Sequence, residues 1–300
     1  MATGDKLVTV AQAAEHLGKT PQGPASIGSK LVTMGQLKSA VDGSDPSGSG
    51  KLVTLSQLKR VQTLKIVSWA DGTDEEVAAM VAAADAGQIS LADHWKAGDT
   101  RTVHLSAMSA TGVGESHAEQ DVQFVLTDPA HYTLSNGKLC SFVVLQKDCL
   151  SETGYMNSFD TNYGGWNGCA RRTWCNSVYR NAIPEALRPI FKQFTTHAAN
   201  DLSSSQVAST DYFALFSEKE IFGSTTYANS SAESQNTQLD YYKTTSNRVK
   251  RLGVNGSARY WWQRSPRSGN SSYFCFVYTD GTADGTGAST SSGLAPFGCI

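Results

Sequence analysis

The stretch that most restricts what this chain can fold into lies near its carboxyl end. Between Ser265 and Gly293, 19 of 29 positions are Ser, Thr, Gly, Asn or Asp. Composition of that kind, left to itself, buries too little apolar surface to offset chain entropy. Here it is pinned: Trp261 and Trp262 precede it, Pro296 and Phe297 follow it, and the run YFCFVY (273–278) sits inside it. The pattern predicts polar loops hung between core strands, a usual place for recognition. Small hydroxyl and amide side chains beside tyrosine also share the chemistry of antibody loops, adaptable hydrogen bonds plus rigid aromatic area. The plainer alternative is a set of solvent-facing turns.

The binding face expected from this reading comprises Ser268, Asn270, Ser271, Ser272, Tyr273, Tyr278, Asp280, Thr282, Asp284, Ser289, Thr290 and Ser291. Tyr273 and Tyr278 are its expected anchors, because aromatic residues dominate interface hot spots. Trp261, Trp262, Pro296 and Phe297 are its expected scaffold. Side chains alternate along a strand, so Tyr273 and Tyr278, five apart, face opposite ways unless a bulge intervenes.

The remaining composition narrows the class. Apolar residues are 40% and charged residues 17% of 300, with 27 glycines, which suits a loop-rich, β-containing protein rather than a helical bundle. A net charge of −2 offers no broad basic field, which argues against sequence-independent nucleic-acid binding. No apolar run approaches the roughly 18–20 residues that cross a bilayer. The start, Met1-Ala-Thr-Gly-Asp-Lys, has no apolar core or cleavage site, so no signal peptide and no membrane partner are expected. Six cysteines without a CxxC pair read as buried free thiols.

At the other end, Lys-Leu-Val-Thr occurs three times, at 6–9, 30–33 and 51–54, each with a glutamine three residues after the threonine: Gln12, Gln36 and Gln57. This is capping-box spacing, in which the threonine hydroxyl and the glutamine amide satisfy each other's backbone N–H groups. Each copy predicts an extended arm turning into a short helix, and 42–50 reads as a linker. Helices this short are marginal alone, so docking on other subunits, as a trimer, or on a larger body is expected of residues 1–65. Residues 66–94 read as a helical neck, with a second kind of box at Thr73 and Glu76, an apolar stripe at Val77, Met80, Val81 and Ala84, and Gly87 as the stop.

Residues 95–300 form the expected main domain. Strands are predicted at 102–108, 121–126 and 140–145, and again at 260–262, 273–278 and 296–300. Helices are predicted over 169–180, with Trp174 and Val178 facing inward, and from Pro184, with Leu187, Ile190, Phe191 and Phe194 along one face. Another helix or turn begins at Ser217. Strands early and late with helices between them give an α+β domain whose two ends pair.

Several strings in this domain occur in a familiar order: Gly164-Gly165-Trp166 with Arg171-Arg172-Thr173-Trp174, then Leu215 to Gly223 (LFSEKEIFG), Trp261 to Pro266 (WWQRSP), and Gly293 to Phe297 (GLAPF). Together they resemble a family of uncharacterised domains of gut bacteria and their phages, whose members look like C-type-lectin-like folds of the formylglycine-generating-enzyme type. The resemblance covers roughly residues 95–300. Gln263 departs from it, standing where the family usually has an aliphatic residue, and so does Ala295, in a variable or basic slot. Some lectin-like proteins of this class are the variable proteins of diversity-generating retroelements, in which adenine-directed mutagenesis rewrites a ligand-binding face near the carboxyl end. Residues 268–292 are similar to such a set. The repeated Lys-Leu-Val-Thr unit resembles attachment segments of phage head or tail fibres. Together the resemblances imply a virion-surface protein, made in the host cytoplasm, that binds a host-surface protein or glycan through its carboxyl-terminal face and other virion proteins through residues 1–65.

Fold does not confer activity. The enzymes of this fold use two metal-binding cysteines near the carboxyl end; Cys275 and Cys299 are the candidates, and neither sits in a matching motif. The six histidines show no HExxH or His-x-His spacing, and there is no G-x-S-x-G elbow or phosphate loop. The expectation is therefore a non-enzymatic binding protein without catalytic residues, metal ligands or cofactor, a structural Ca²⁺ in the long loops being compatible with it. The alternatives are a surface-acting hydrolase or oxidase on the same fold, or a bacterial cell-surface adhesin.

Overall fold

In the computed structural model, residues 64–202 and 205–300 are described. The three repeats, and the attachment region expected over 1–65 save its last two residues, lie outside the described residues. Val67–Ile300 forms one compact unit, and residues 67–94, expected as a neck, belong to it. Helix α1 (Asp74–Asp85) starts on the predicted box: Thr73 Oγ1 accepts from the Glu76 amide, and Glu76 Oε2 from the Thr73 amide. It stops at Gly87, whose φ of 69° lets its N–H reach the Ala84 carbonyl. Val77, Met80, Val81 and Ala83 are buried, while Ala84 is half-buried. Two carbonyls before the helix, of Trp69 and Gly72, accept from the Arg101 guanidinium, which also ion-pairs with Asp74. These bonds tie the segment to the first strand of the main sheet.

That sheet contains β1 (Thr100–Leu105), β2 (Gln120–Thr127) and β3 (Val143–Gln146), with the last strand of the chain, β11 (Phe297–Cys299), as its fourth member in the order β1-β2-β3-β11. All its pairings are antiparallel. The chain's last strand pairs in register with β3, Phe297 opposite Leu145 and Cys299 opposite Val143. The described unit is α+β, and its early and late strands meet as the apolar ends predict.

Two helices differ from expectation, each for a physical reason. Short α2 (Gly165–Gly168) precedes α3 (Ala170–Trp174), then a π-helical turn (Cys175–Tyr179), then α4 (Arg180–Ala182). A π turn inserts one residue per turn, so the inward position after Trp174 falls on Tyr179, fully buried, and not on Val178, which is half-buried. The Tyr179 hydroxyl bonds Gln146 Oε1 at 2.9 Å, fixing the π turn against β3. The helix expected from Pro184 is instead a turn and a 3₁₀ segment (Arg188–Ile190), with Phe194 opening β4 (Phe194–Ala199). Pro189, five residues on, has no N–H to continue an α-helix. Leu187, Ile190, Phe191 and Phe194 are nonetheless buried: their burial was legible, their element type was not.

Strand β4 pairs with β5 (Gln206–Asp211). Helix α5 (Glu218–Phe222) opens on a complete Ser217–Glu220 capping box, and α6 (Asp240–Lys243) follows. After the small pair β6 (Lys250–Arg251) and β7 (Ala258–Arg259), the polar segment enters a three-stranded sheet of β8 (Trp261–Pro266), β9 (Tyr273–Val277) and β10 (Ala283–Gly287) with β9 in the centre, and β11 (Phe297–Cys299) ends the order. Every residue of β8 is buried. Its Arg264 forks both guanidinium nitrogens onto Glu220, each at 2.6 Å. Burial alone pushes Glu220 up, and the Arg264 charge overrides it, holding the carboxyl below its ordinary range. Phe216 stacks on Phe297 at 3.9 Å, with Tyr132 and Phe194 around them. The expected scaffold residues Trp261, Trp262, Pro296 and Phe297 are all core. All six cysteines are buried free thiols; the thiol beside Cys299 is Cys140, not Cys275. Among the described residues no helix is long and apolar enough to cross a membrane.

Candidate functional site

None of the twelve residues expected on the binding face is buried. The β8–β9 connection carries the first group. Arg267 and Tyr273 close it (N···O 3.0 Å), Ser268 donates to the Tyr227 carbonyl, and the Asn270 side chain accepts from the Ser272 amide at 2.9 Å. Ser268 and Ser271 are exposed; Asn270, Ser272 and Tyr273 are half-buried. The Arg267 guanidinium lies 4.5 Å from the Tyr227 ring and 5.6 Å from the Tyr273 ring. It is held between two aromatic faces, with Asp284 at 4.0 Å.

The second group leaves β10. Ala288 donates to the Ser272 carbonyl at 2.8 Å, bringing Ser289, Thr290 and Ser291 alongside the first group. Thr290 bonds Thr286 through their hydroxyls at 3.1 Å, and Ser291 bonds Thr153 in the same way.

A third segment, which sequence reasoning did not include, completes the face. The loop 157–164 is tied to both groups. Asn162, fully buried, donates from Nδ2 to the carbonyls of Asn270 (2.7 Å) and Tyr273 (2.9 Å), and from its amide to Ser271 O. Asp160 accepts from the Ser289 hydroxyl (2.6 Å) and amide (2.9 Å), and these bonds hold its carboxyl below the ordinary range. A Cβ at Gly287 would fall 2.5 Å from the Asp160 carboxylate, so this approach needs a glycine. Asn162 is committed inward, and the loop's aromatics turn outward: Phe159 is 76% and Tyr163 79% exposed. Two large exposed rings on a hydrogen-bonded loop are unusual on a surface with no partner. The available signal was compositional: Ser158 to Gly165 (SFDTNYGG) repeats the Ser/Asp/Thr/Asn/Gly-plus-aromatic mixture of the carboxyl-terminal stretch, one hundred residues earlier.

Four expected residues lie elsewhere: Tyr278, Asp280, Thr282 and Asp284. Tyr278, Asp280 and Thr282 form the β9–β10 turn, at the far end of β9 from Tyr273, about 17 Å away at roughly 3.4 Å per residue. Tyr278 is 46% exposed and leans on Phe276, not on the Tyr273 group. The Thr282 hydroxyl and amide hold the Asp280 carboxyl below its ordinary range. Asp284 sits mid-strand opposite Phe276. The structure thus gathers Ser268, Asn270, Ser271, Ser272, Tyr273, Ser289, Thr290 and Ser291 around Phe159 and Tyr163, and sets the turn residues apart.

Chemically, this face offers serine and threonine hydroxyls, amide groups, one caged guanidinium and two free rings. Among the described residues no group of three or more His, Cys, Asp or Glu side chains is placed to hold a metal ion.

Fold and face together describe an α+β domain that presents a polar and aromatic surface on a buried aromatic frame. Residues 141–300 match a family described as a domain of unknown function (DUF6273). The chain belongs to that family, and the match takes in β3, both groups of the face and the 157–164 loop. Nothing among the curated proteins or the solved structures matches the chain.

Proposed function

We propose that this is a non-enzymatic, virion-surface receptor-binding protein whose face around Phe159, Tyr163, 268–273 and 289–291 binds a protein or glycan on the surface of a host cell. The observation that carries the reading is the pairing of two outward aromatic rings with a ring of hydroxyl and amide groups, all fastened to one buried frame. Rigid rings supply contact area at small entropic cost, and the short polar groups set which partner fits. The antiparallel sheet that joins the domain's first and last strands, with long loops carried on a second small sheet, supports a C-type-lectin-like fold. The Lys-Leu-Val-Thr repeats support attachment of residues 1–65 to other virion proteins, with three chains assembling together. Diversification of the face by a retroelement fits its composition, and the aromatic loop 157–164 lies outside the stretch 268–292 that would be rewritten. Under this reading Phe159 and Tyr163 are constant anchors and the serines, threonines and asparagines the changeable part.

Two experiments test this. Fluorescently labelled full-length protein is incubated with a panel of gut-bacterial isolates and scored by flow cytometry. Wild type should label a subset of them, and the double variant Phe159→Ser/Tyr163→Ser should label none; equal labelling by both would remove the face from the function. The genome around the gene tests diversification separately: a near-copy of the 3′ end beside a reverse-transcriptase gene, differing mainly at adenines, is expected. An invariant 3′ end without such a copy leaves binding in place and ends the diversification claim.

A further inference from the structure

Away from the face, one arginine guanidinium among the described residues makes neither a hydrogen bond nor an ion pair. It belongs to Arg180; the others at 101, 171, 172, 188, 248, 251, 259, 264 and 267 all donate to carbonyls or carboxylates. It is not a loose side chain. Its backbone is held in α4, and its guanidinium carbon lies 3.8 Å from the centre of the Tyr212 ring, a stacked geometry that covers one face of the group. Its Nε is buried and unbonded. What remains available is the edge of the fork.

Arg180 and Tyr212 line an open pocket of about 290 Å³, together with Lys192, Ser135, Asn136 and Gln193. Leu134, Pro189 and Phe191 complete its wall. No carboxylate lines it. The Lys192 ammonium, also in the lining, is bound at 2.6 Å to Asp85 and at 3.2 Å to the Pro189 carbonyl, so its charge is already paired and Arg180 is the lining cation without an ion pair. A guanidinium fork held by ring stacking in a pocket that no carboxylate lines is an arrangement suited to a planar oxyanion, through two parallel N–H···O bonds. The hydroxyl of Ser135 and the amides of Asn136 and Gln193 stand around it as donors and acceptors for a hydroxylated body. At about 290 Å³ the volume falls just under the range for ligand sites, about 300–1,000 Å³, which limits an occupant to something the size of one sugar ring.

We propose that this pocket binds an acidic monosaccharide, a hexuronic-acid residue, with its carboxylate on the Arg180 fork and its ring hydroxyls on Ser135, Asn136 and Gln193. The pocket shares no residue with the face around Phe159 and Tyr163, so it constitutes a second, separate contact. A neutral hexose lacks the group that Arg180 demands. Phosphate lacks the hydroxylated body, and an acidic peptide side chain presents a carboxylate without the ring.

The test is a titration of full-length protein, by NMR or calorimetry, with sodium glucuronate, and with glucose, glutamate and inorganic phosphate as separate arms. Glucuronate should bind and weaken as salt rises, with glucose silent and glutamate and phosphate clearly weaker. Arg180→Gln should weaken glucuronate by about tenfold to a hundredfold, the usual loss when a charged hydrogen-bonding partner is removed. Arg180→Lys should restore only part of it, because a point charge cannot make the paired contact. Asn136→Asp, at an exposed turn, places a negative charge in the pocket while keeping Arg180 and should abolish binding, which covers the case of an Arg180 variant that fails to fold. No glucuronate binding at millimolar concentration, or unchanged binding in Arg180→Gln and Asn136→Asp, overturns the site. Equal binding of glutamate or phosphate overturns the sugar class. Soluble probes and a pocket outside the face keep these outcomes independent of cell labelling through Phe159 and Tyr163.

Discussion

At the scale of single residues, two buried groups make opposite statements about stability. Gln263, in the middle of β8, is fully buried, and neither its amide nitrogen nor its oxygen has a hydrogen-bond partner. Unpaired polar atoms of this kind cost about 1–3 kcal/mol. Gln263→Leu should therefore raise the midpoint of chemical unfolding by an equivalent of about 1–2 kcal/mol; a drop would show that the amide is satisfied. His117 makes the second statement. Its ring lies 5.4 Å from Trp174 and 3.2 Å from Glu152. Burial, with the Arg171 charge adding to it, outweighs Glu152 and lowers its pKa from 6.5 to about 4. The unfolded chain takes up a proton near pH 6.5 that the folded chain refuses until about 4. The stabilisation is therefore complete above 6.5 and lost as pH falls toward 4, amounting to roughly 3 kcal/mol over that interval. Unfolding of wild type and His117→Gln at pH 7 and pH 4.5 checks this: the wild type should lose more stability between the two. Parallel losses would mean that His117 titrates normally.

At the scale of elements, what the sequence showed and what it hid have distinct causes. Capping boxes are local chemistry, so α1 starts at Thr73 where spacing puts it, while at Ser217, where only a helix or turn was expected, α5 opens on a box of the same kind. Strands with bulky apolar runs, such as β2 and β9, were equally legible, because burial on both sides leaves a continuous signal. The π turn at Cys175–Tyr179 was not. Its extra residue is selected by tertiary contacts, among them the Tyr179 hydroxyl on Gln146, and an i, i+4 reading of the same residues points to Val178. Removing that contact measures its contribution: Tyr179→Phe keeps the ring and leaves Gln146 Oε1 unpaired, which should destabilise the protein by about 1–2 kcal/mol in chemical unfolding. No change would mean that packing alone selects the π turn. The 3₁₀ segment after Pro184 was misread because amphipathic spacing records which residues are buried, and not the backbone that buries them; Pro189 was the signal against a helix.

At the scale of the whole molecule, pairing of the first and last strands closes the domain and fixes where the polar segment leaves the core. The frame of Trp261, Trp262, Pro296 and Phe297 was readable from composition, since large apolar residues flanking a polar run have one economical place to go. The face was readable only in part. Segments 268–273 and 289–291 were identified, but the loop 157–164 joins them through Asn162 and Asp160 across about 110 to 130 positions of sequence, a distance over which one sequence holds no pairing information. Tyr278, by contrast, looked like a partner of Tyr273 and sits at the other end of β9. The claim that most depends on this arrangement is that the outer surface recognises a partner while the frame beneath only supports it. It is tested by replacing Ser268 and Ser271, the two exposed serines of the face, with Asn, Tyr and Asp, then measuring both thermal unfolding and labelling of the isolates that wild type recognises. The account predicts unfolding temperatures within a degree or two of wild type, since exposed substitutions of this kind change stability by about 0.5 kcal/mol or less, together with a changed or lost set of labelled cells. Variants that label the same cells as wild type with the same intensity would contradict it.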